Sequence, residues 1–266
     1  MVRFYVGEIT GTTPQTVKIY TDSNTSTSVT VSEGNKWYGY LLPKDKGLCK
    51  IEGGSVKKVV VKADISYEVG EIITPLSTVE ASFKGSNTSN VTNMGSMFAY
   101  CGNLTSLDVS NFDTSNVTNM AQMFDSCDKL TSLDLSGWNT SNVTDMDSMF
   151  FGCEALTSLD VSSFDTSKVT NIGNMFGDCS GLISLDLSKF DTSNVTDINN
   201  MVGLFDGCSR LKLLDLSGWV INDSIYMNGM FGNCTSLEKI RMVGCSEGTI
   251  GKINSVKPST ATIVTE

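Results

Sequence analysis

Residues Thr88 to Asp113 read TSNVTNMGSMFAYCGNLTSLDVSNFD, and this 26-residue unit recurs along the chain. Copies one to six begin at Thr88, Thr114, Thr140, Thr166, Thr192 and Ile221. The fifth copy carries three extra residues between Ile198 and Phe205. A fixed period of about 20 to 50 residues is typical of a solenoid, in which each unit buries its apolar face against the next. The repetition therefore predicts an elongated stack of similar coils.

The second copy shows how one unit is expected to fold. Its segment LTSLDLS, residues 130–136, places apolar side chains as a strand does, so Leu133 and Leu135 should point inward. Further back, the segment NVTNMAQMF, residues 116–124, spaces its apolar residues by three, which suits a short helix or a 3₁₀ turn. We therefore predict a parallel β-sheet on one face of the stack and short helices or 3₁₀ turns on the other.

Residues that share a repeat phase form columns, two of which are rich in cysteine and in aromatic residues. The columns are Cys101, Cys127, Cys153, Cys179, Cys208 and Cys234, and Phe112, Trp138, Phe164, Phe190 and Trp219. The chain has no Cys-x-x-Cys pair and no histidine, so neither the spacing nor the composition fits a zinc site. We interpret both columns as core packing, with cysteine acting as a small hydrophobe, and expect no cofactor.

The repeated unit closely resembles the BspA-like leucine-rich repeats of bacterial surface proteins. The resemblance rests on Val-Thr-Asn-Met, then Met-Phe, a Cys and LTSLDVSNFD, and it recurs in register over about 60% of the chain. It implies an α/β solenoid of the leucine-rich-repeat class. It also implies a cell-surface protein involved in adhesion to host proteins or to other microbes.

We predict three parts in the chain. Residues 1–75 contain short β-rich runs and should form an antiparallel β module that serves as a cap or for attachment. Residues 76–245 should form the leucine-rich-repeat solenoid. Its first strand is degenerate, with Ala81 and Phe83 where the first copy has Leu107 and Val109.

The third part, residues 246–266, should be a C-terminal cap. A solenoid needs such a cap because its terminal coil otherwise exposes apolar core and unpaired strand edges. The segments Gly248–Ile253 and Ala261–Val264 have the composition of one or two short strands.

Charge is distributed unevenly along the chain. The formal net charge is −10. Residues 1–75 hold nine Lys or Arg against eight Asp or Glu, whereas residues 76–266 hold ten against 21. This acidic surface would repel nucleic acid and anionic membranes. No apolar run approaches the roughly 20 residues of a membrane span, so we expect no direct membrane insertion.

The start of the chain bears on its localisation. Residues 1–7 lack the apolar region of a signal peptide, so we expect either that a leader is missing from this chain or that export follows another route. The surface-protein resemblance nevertheless predicts an extracellular or cell-surface location. A virion surface is the alternative.

The outward strand positions are the candidate ligand-binding face, because solenoids use their sheet as an extended binding surface. They are Ser106, Asp108, Ser110, Ser132, Asp134, Ser136, Ser158, Asp160, Ser162, Ser184, Asp186, Ser188, Leu213, Asp215, Ser217, Lys239 and Arg241. Leu213, Lys239 and Arg241 depart from the repeat pattern near the insert at residues 199–204. We expect specific recognition there, because identical repeats offer only identical weak contacts.

Five carboxylates stack in one column of that face, at Asp108, Asp134, Asp160, Asp186 and Asp215. Unit charges about 4.8 Å apart repel by roughly 0.9 kcal/mol in water and roughly 3.5 kcal/mol at an effective dielectric constant of 20. Hydrogen bonds from the flanking serines, raised pKa values, a cation held by Asp134 and Asp160, or a cationic partner would each relieve this repulsion.

No pattern typical of an enzyme is present. A repeating Asp row has no asymmetry that would separate a general acid from a general base, and there is neither a phosphate-binding glycine loop nor a nucleophile elbow. We therefore predict a non-catalytic surface or adhesion protein that binds a protein or glycan ligand. The alternative is a structural or virion-borne decoration or receptor-binding component, docked through residues 1–75.

Overall fold

The computed structural model describes residues 2–6, 15–20, 26–32, 36–40, 50–52, 58–62, 80–84, 86–197 and 199–266. Within these ranges the fold is mostly β with a single α-helix. The elements are β1 (Val2–Val6), β2 (Gln15–Tyr20), β3 (Ser26–Val31), β4 (Lys36–Tyr40), β5 (Lys50–Glu52), β6 (Lys58–Lys62), β7 (Glu80–Ser82), β8 (Ser106–Asp108), β9 (Ser184–Asp186), β10 (Leu213–Asp215), β11 (Lys239–Arg241), α1 (Glu247–Val256) and β12 (Thr262–Val264).

The strands of residues 1–75 pair antiparallel with one another. β1 lies between β4 and β6, and β2 lies between β3 and β5. Antiparallel pairing, predicted from the short β-rich runs, is thus confirmed for these strands. The short strand β5 was not predicted.

The first of these two sheets continues into the repeats. β6 pairs parallel with β7, and β7 pairs parallel with β8, which aligns Ala81 with Leu107 of the first copy. Ala81 and Phe83 are both buried. The predicted degenerate first strand is therefore confirmed, and it joins the N-terminal strands to the repeats.

Parallel strands also join the last copies and the C-terminus. The order is β9, β10, β11, β12, and the register aligns Ser184, Leu213, Lys239 and Thr262. In copies two and three the equivalent residues, 132–134 and 158–160, do not form regular strands. Leu133, predicted to point into the core, is only partly buried there.

The opposite side of each copy is built from turns, so the predicted short helices are wrong, whereas i→i+3 hydrogen bonds of the kind that close a single 3₁₀ turn are present. In the second copy, Met120 and Phe124 donate their amide N–H to the carbonyls of Asp145 and Met149 in the third copy, both at 2.9 Å. Between them, Met123 donates to Met120 at 3.2 Å. Because alternate amides bond within the copy and to the next copy, all are satisfied without a helix.

Left-handed backbone at every fourth residue makes this alternation geometrically feasible. Gln122 and Ser126 have φ of 58° and 55°, and Ser148 has φ of 54° in the third copy. A helix cannot continue through such residues. We call this inter-copy network the turn ladder, after the turn segments 94–100, 120–126, 146–152, 172–178, 201–207 and 227–233.

Buried threonines hold the copies together next to the turn ladder. Thr140 lies at the start of copy three with a 1% exposed side chain. Its hydroxyl donates to the carbonyl of Asp165 at 3.0 Å and accepts from the amide of Asp165 at 2.8 Å. The same two bonds recur at Thr88, Thr114, Thr166 and Thr192.

The aromatic and cysteine columns are core, as predicted. All five aromatic residues of the predicted column are buried, and a second aromatic column stacks beside it, with Phe124 and Phe150 at a centroid distance of 5.6 Å. The column cysteines are free thiols, and all except the half-buried Cys101 are buried. Each buried thiol also donates to the carbonyl of a phenylalanine one copy back, for example Cys153 to Phe124 at 3.3 Å.

The insert predicted at residues 199–204 is placed wrongly, because the three extra residues of the fifth copy lie before Asn200. The Ile172 amide donates to the carbonyl of Asn200, as the Met146 amide does to that of Asn171. Met201 therefore occupies in the fifth copy the buried position that Ile172 has in the fourth. Ile198 lies outside the described residues.

The C-terminal segment differs from its prediction in one half. Residues 248–253 belong to the helix α1 and are not a strand. Ser246 caps the helix, accepting from the Thr249 amide at 3.2 Å, and Thr249 and Ile253 bury one helical face. The strand predicted at residues 261–264 is confirmed as β12.

Candidate functional site

Every residue of the predicted binding face has an exposed or half-exposed side chain. At its C-terminal end the strands bring unlike residues together: Leu213 lies between Ser184 and Lys239, and Asp215 lies between Asp186 and Arg241. The structure thus places the predicted residues on one surface.

The aspartate column is stabilised by its own serines. In Asp134 one carboxylate oxygen accepts from the amide and the hydroxyl of Ser136, at 3.1 and 2.7 Å. The amides of Ser110, Ser162, Ser188 and Ser217 make the same bond to the aspartate two residues before them.

These bonds shift the carboxylates toward their charged form. Hydrogen bonds from Ser110 lower the pKa of Asp108, and those from Ser136 lower the pKa of Asp134. The pKa values of Asp160 and Asp186 are lowered in the same way by the serine two residues on. The prediction that raised pKa values relieve the charge repulsion is therefore wrong for these four aspartates. Hydrogen bonds from the flanking serines stabilise the carboxylates instead.

A metal site is not formed by this column. Among the residues that the structure describes, no group of three or more His, Cys, Asp or Glu side chains could hold a metal ion. Asp134 and Asp160 are included in that statement. A flat row of carboxylates presents too few oxygens to one ion, because Ca²⁺ takes six to eight oxygen ligands.

An apolar and basic patch interrupts the acidic face where copies four to six meet. Ile183 and Leu213 are 42% and 48% exposed, and the Ile183 carbonyl accepts from the Lys212 amide at 2.9 Å, which places the two side chains on neighbouring coils. Arg241 and Lys239 lie on the next strand. We name Ile183, Leu213, Lys239 and Arg241 the divergent patch.

Ile183 was missed from the sequence, although a signal for it existed. It occupies the phase of Thr105, Thr131 and Thr157, so it is a departure from the repeat in the same sense as Leu213. The prediction considered only the three outward columns of the strand and not the residue just before them.

Charge pairing within the divergent patch leaves its cations accessible. Arg241 Nη1 lies 3.3 Å from Asp215 Oδ2, and more than half of its side chain remains exposed. Exposed ion pairs of this kind contribute little to stability, about 0 to 1 kcal/mol. Exposed aliphatic surface beside exposed cations can therefore contact a ligand that has both apolar and anionic groups.

The turn side carries aspartates with the opposite shift. Burial raises the pKa of Asp125 and of Asp147, even though Ser126 and Ser148 donate to them at 2.8 and 3.1 Å. They lie on different copies. Nothing in the sequence separated these carboxyls from those of the strand face.

Comparison with protein families gives one match. The model of the family described as "Mycoplasma protein of unknown function, DUF285" matches residues 70–181 and 151–243, which together span well over half of the chain. Comparison with curated proteins and with solved structures finds no significant match. Within the described part of the chain, no helix has the length and apolarity needed to cross a membrane.

Proposed function

Because this chain belongs to the DUF285 family, whose repeats resemble those of BspA-like surface proteins, we propose that it is a non-catalytic surface interaction protein. Its copies form a leucine-rich-repeat solenoid, and the outward strand face binds a protein or glycan ligand. The divergent patch gives the binding its specificity.

The observation that carries this proposal is the exposure of Ile183 and Leu213 beside Lys239 and Arg241. Isolated apolar residues are common on protein surfaces, but two on adjacent coils flanked by two cations form a contiguous patch. Arginine is also enriched at the energetic centres of interfaces. In copies one to four the three outward strand columns are uniformly serine and aspartate.

The rest of the face supports a role in orientation. The lowered pKa values keep Asp108, Asp134, Asp160 and Asp186 charged at neutral pH. Such a negative surface repels anionic partners from the uniform copies and steers a ligand with an anionic group to the basic patch.

We assign the N-terminal strands to the cap of the solenoid. The support is the parallel pairing of β6 with β7, since this makes the N-terminal sheet continuous with the sheet of the first copy. A capping role covers the edge that β7 would otherwise expose. The same pairing gives no support to residues 1–75 as a separate docking module for a larger assembly.

A binding screen tests the proposal. The full chain is immobilised and exposed to purified host-matrix proteins and glycans, and binding is followed by biolayer interferometry. For each ligand bound, the double variant Lys239→Glu with Arg241→Glu should weaken the affinity by about tenfold or more, since charges at an interface contribute on the order of 1 to 3 kcal/mol.

The matched control is Lys129→Glu with Lys168→Glu. These two lysines are exposed in copies two and four and lie outside the divergent patch. The control makes the same change in net charge, so it should leave the affinity within about twofold. Equal losses in both double variants would show a general charge effect and would contradict the assignment.

A further inference from the structure

The C-terminal cap covers only one half of the last copy. On the strand side, β12 pairs with β11 in the register of the repeats. Near the start of the copy, Lys252 on α1 donates to the carbonyl of Ile221 at 2.9 Å. Within the described ranges, the turn half of the copy, residues 227–233, pairs with no such strand.

The turn ladder therefore ends open. In the fifth copy the amides of Gly203, Phe205 and Gly207 donate to the carbonyls of Asn228, Met230 and Gly232, at 3.2, 2.9 and 2.8 Å. The corresponding donors of the sixth copy are the amides of Gly229, Phe231 and Asn233. Those three amides have no acceptor among the described residues.

The three amides repeat the geometry of the donors that are paired elsewhere. Gly229 and Asn233 have φ of 66° and 55°, like Gly203 and Gly207 at 60° and 77° in the fifth copy. A Cβ added at Gly229 would meet no atom within 4 Å, whereas one at Gly203 would meet the side chain of Asn174. The last copy thus presents an open edge in the conformation that binds another segment.

A groove lies beside this open edge. Its volume is about 440 Å³, and it is bounded by residues 227–235 on one side and by Val256 and Pro258 on the other. Its apolar surface comes from the half-buried Val256 and Pro258, because Met227, Met230 and Phe231 are themselves buried, and no charged side chain lines it. Donors in a row next to an uncharged, apolar groove are the two requirements for adding a peptide segment to an edge.

We propose that this edge binds an extended peptide segment of a partner protein. The segment offers three backbone carbonyls on alternate residues to Gly229, Phe231 and Asn233, and it places an uncharged apolar side chain against Val256 and Pro258. Such a segment continues the turn ladder by one more rung.

A second copy of the chain fits this edge less well. To continue the ladder it would have to present the carbonyls of its first turn segment, around Met97. On the strand side of that first copy, however, β7, β6, β1 and β4 extend the sheet beyond β8, and at the other end of the chain β12 extends it beyond β11. These strands occupy the space in which the two copies would have to meet. A short segment of another protein has no such restriction.

The test uses a synthetic peptide that copies residues 226–236, YMNGMFGNCTS, with Cys234→Ser to prevent oxidation. Within the chain, this segment of the sixth copy presents the carbonyls of Asn228, Met230 and Gly232 to backbone amides of the fifth copy. Hydrogen exchange of the full ¹⁵N-labelled chain is measured by NMR with and without the peptide. We expect saturable slowing of exchange, about tenfold or more, at the amides of Gly229, Phe231 and Asn233.

Two variants locate the binding. Val256→Arg places a long cation in the groove and should weaken peptide binding by about tenfold. Asn254→Arg adds the same charge to an exposed position of α1 that does not line the groove, and it should bind as the wild type does.

Three results would overturn the proposal. One is unchanged exchange of the three amides at about 1 mM peptide, which is the weak end of specific affinities. Another is equal binding of a scrambled peptide, or equal loss in both variants. The third is a concentration-dependent dimer of the chain alone that protects the same amides and dissociates in Val256→Arg, since the occupant would then be a second copy.

Discussion

Copies one to four and copies five and six are built on the same interior but present different surfaces. In the first group the outward strand residues are serine and aspartate, and each aspartate of the column is held by the serine two residues on. In the second group Leu213, Lys239 and Arg241 replace that pattern and remain exposed. One column of buried phenylalanines runs through both groups without a break, and so do the buried cysteines from Cys127 to Cys234. The phenylalanines are Phe98, Phe124, Phe150, Phe176, Phe205 and Phe231. Stacking therefore constrains the inward positions, and the outward positions are free to differ.

The junction between the sixth copy and the C-terminal cap also contains a hydroxyl contact. The sixth copy begins with Ile221 and so lacks the threonine that ties each other copy to the next. Thr249 of α1 lies one copy further on and accepts from the Ile221 amide at 3.4 Å. The cap thus supplies a hydroxyl where the repeat has lost one. Five experiments follow from this contrast between a shared interior and divergent surfaces.

The largest expected effect is in the shared interior. Phe150 is fully buried and stacks on Phe124 and Phe176, with centroid distances of 5.6 and 5.9 Å. Phe150→Ala should lower the free energy of unfolding by about 3 to 5 kcal/mol, because it removes a large side chain and leaves a cavity. Phe231→Ala should cost less, since Phe231 has a stacked neighbour in Phe205 and lies beside the open groove. Urea unfolding measures the free energy of unfolding of both variants. Equal losses of stability would contradict an interior that is continuous through the copies and ends at copy six.

A smaller effect is expected from the buried threonines. Thr140→Val keeps the shape of the side chain but leaves the amide and carbonyl of Asp165 without their hydroxyl partner. We expect a loss of about 1 to 3 kcal/mol in the free energy of unfolding.

The control for that variant is Thr157→Val. Thr157 is exposed, and its hydroxyl makes no hydrogen bond to any residue that the structure describes, so the change should stay within about 0.5 kcal/mol. Similar losses at both positions would mean that the buried hydroxyls do not hold the copies together.

The next effect is on pKa values and tests whether the strand face is satisfied by its own serines. Ser136→Ala should raise the pKa of Asp134 toward its ordinary value, because it removes the bond that is the main cause of the shift. Ser132→Ala, an exposed serine that does not bond to Asp134, is the control and should change nothing. NMR titration of the carboxyl carbon reads the pKa directly. An unchanged pKa in Ser136→Ala would contradict the account of the aspartate column.

The two sides of a copy should also respond to pH with opposite signs. A pKa lowered by folding, as in Asp134, stabilises the fold above the unfolded pKa, and this contribution is lost as the pH falls through the folded pKa. A pKa raised by burial, as in Asp125, favours the fold at low pH and opposes it as the pH rises through the folded pKa. Asp125→Asn should therefore remove a destabilising contribution at neutral pH, and Asp134→Asn should not.

The sequence predicted those features that depend on which residues are apolar. The repeat phase placed Trp138, Cys153 and Phe164 in the core and Asp160 on the surface, because burial follows hydrophobicity at fixed period. It also placed Ala81 in a strand, since the alignment with Leu107 carried over from one copy to the next.

Features that depend on backbone hydrogen bonds were not predictable in this way. An apolar spacing of three fits a helix and also fits a row of turns, and the choice depends on left-handed residues such as Gln122, which are not glycines. Residues 248–253 carry β-rich composition, yet the Ser246 cap and the burial of Ile253 favour a helix. Ile183 was visible as a departure from the repeat, but its exposure beside Leu213 required the structure.

The most direct test of the central claim exchanges the divergent patch for the surface of copy three. A single variant combines Ile183→Thr, Leu213→Ser, Lys239→Ser and Arg241→Asp, which are the residues found at Thr157, Ser158 and Asp160. All four positions are exposed, so the melting temperature should stay close to that of the wild type. Its affinity is measured by biolayer interferometry for the ligand that the wild-type chain binds in the screen. The account predicts a loss of affinity of about a hundredfold, whereas unchanged affinity in this folded variant would show that the divergent patch is not the binding site.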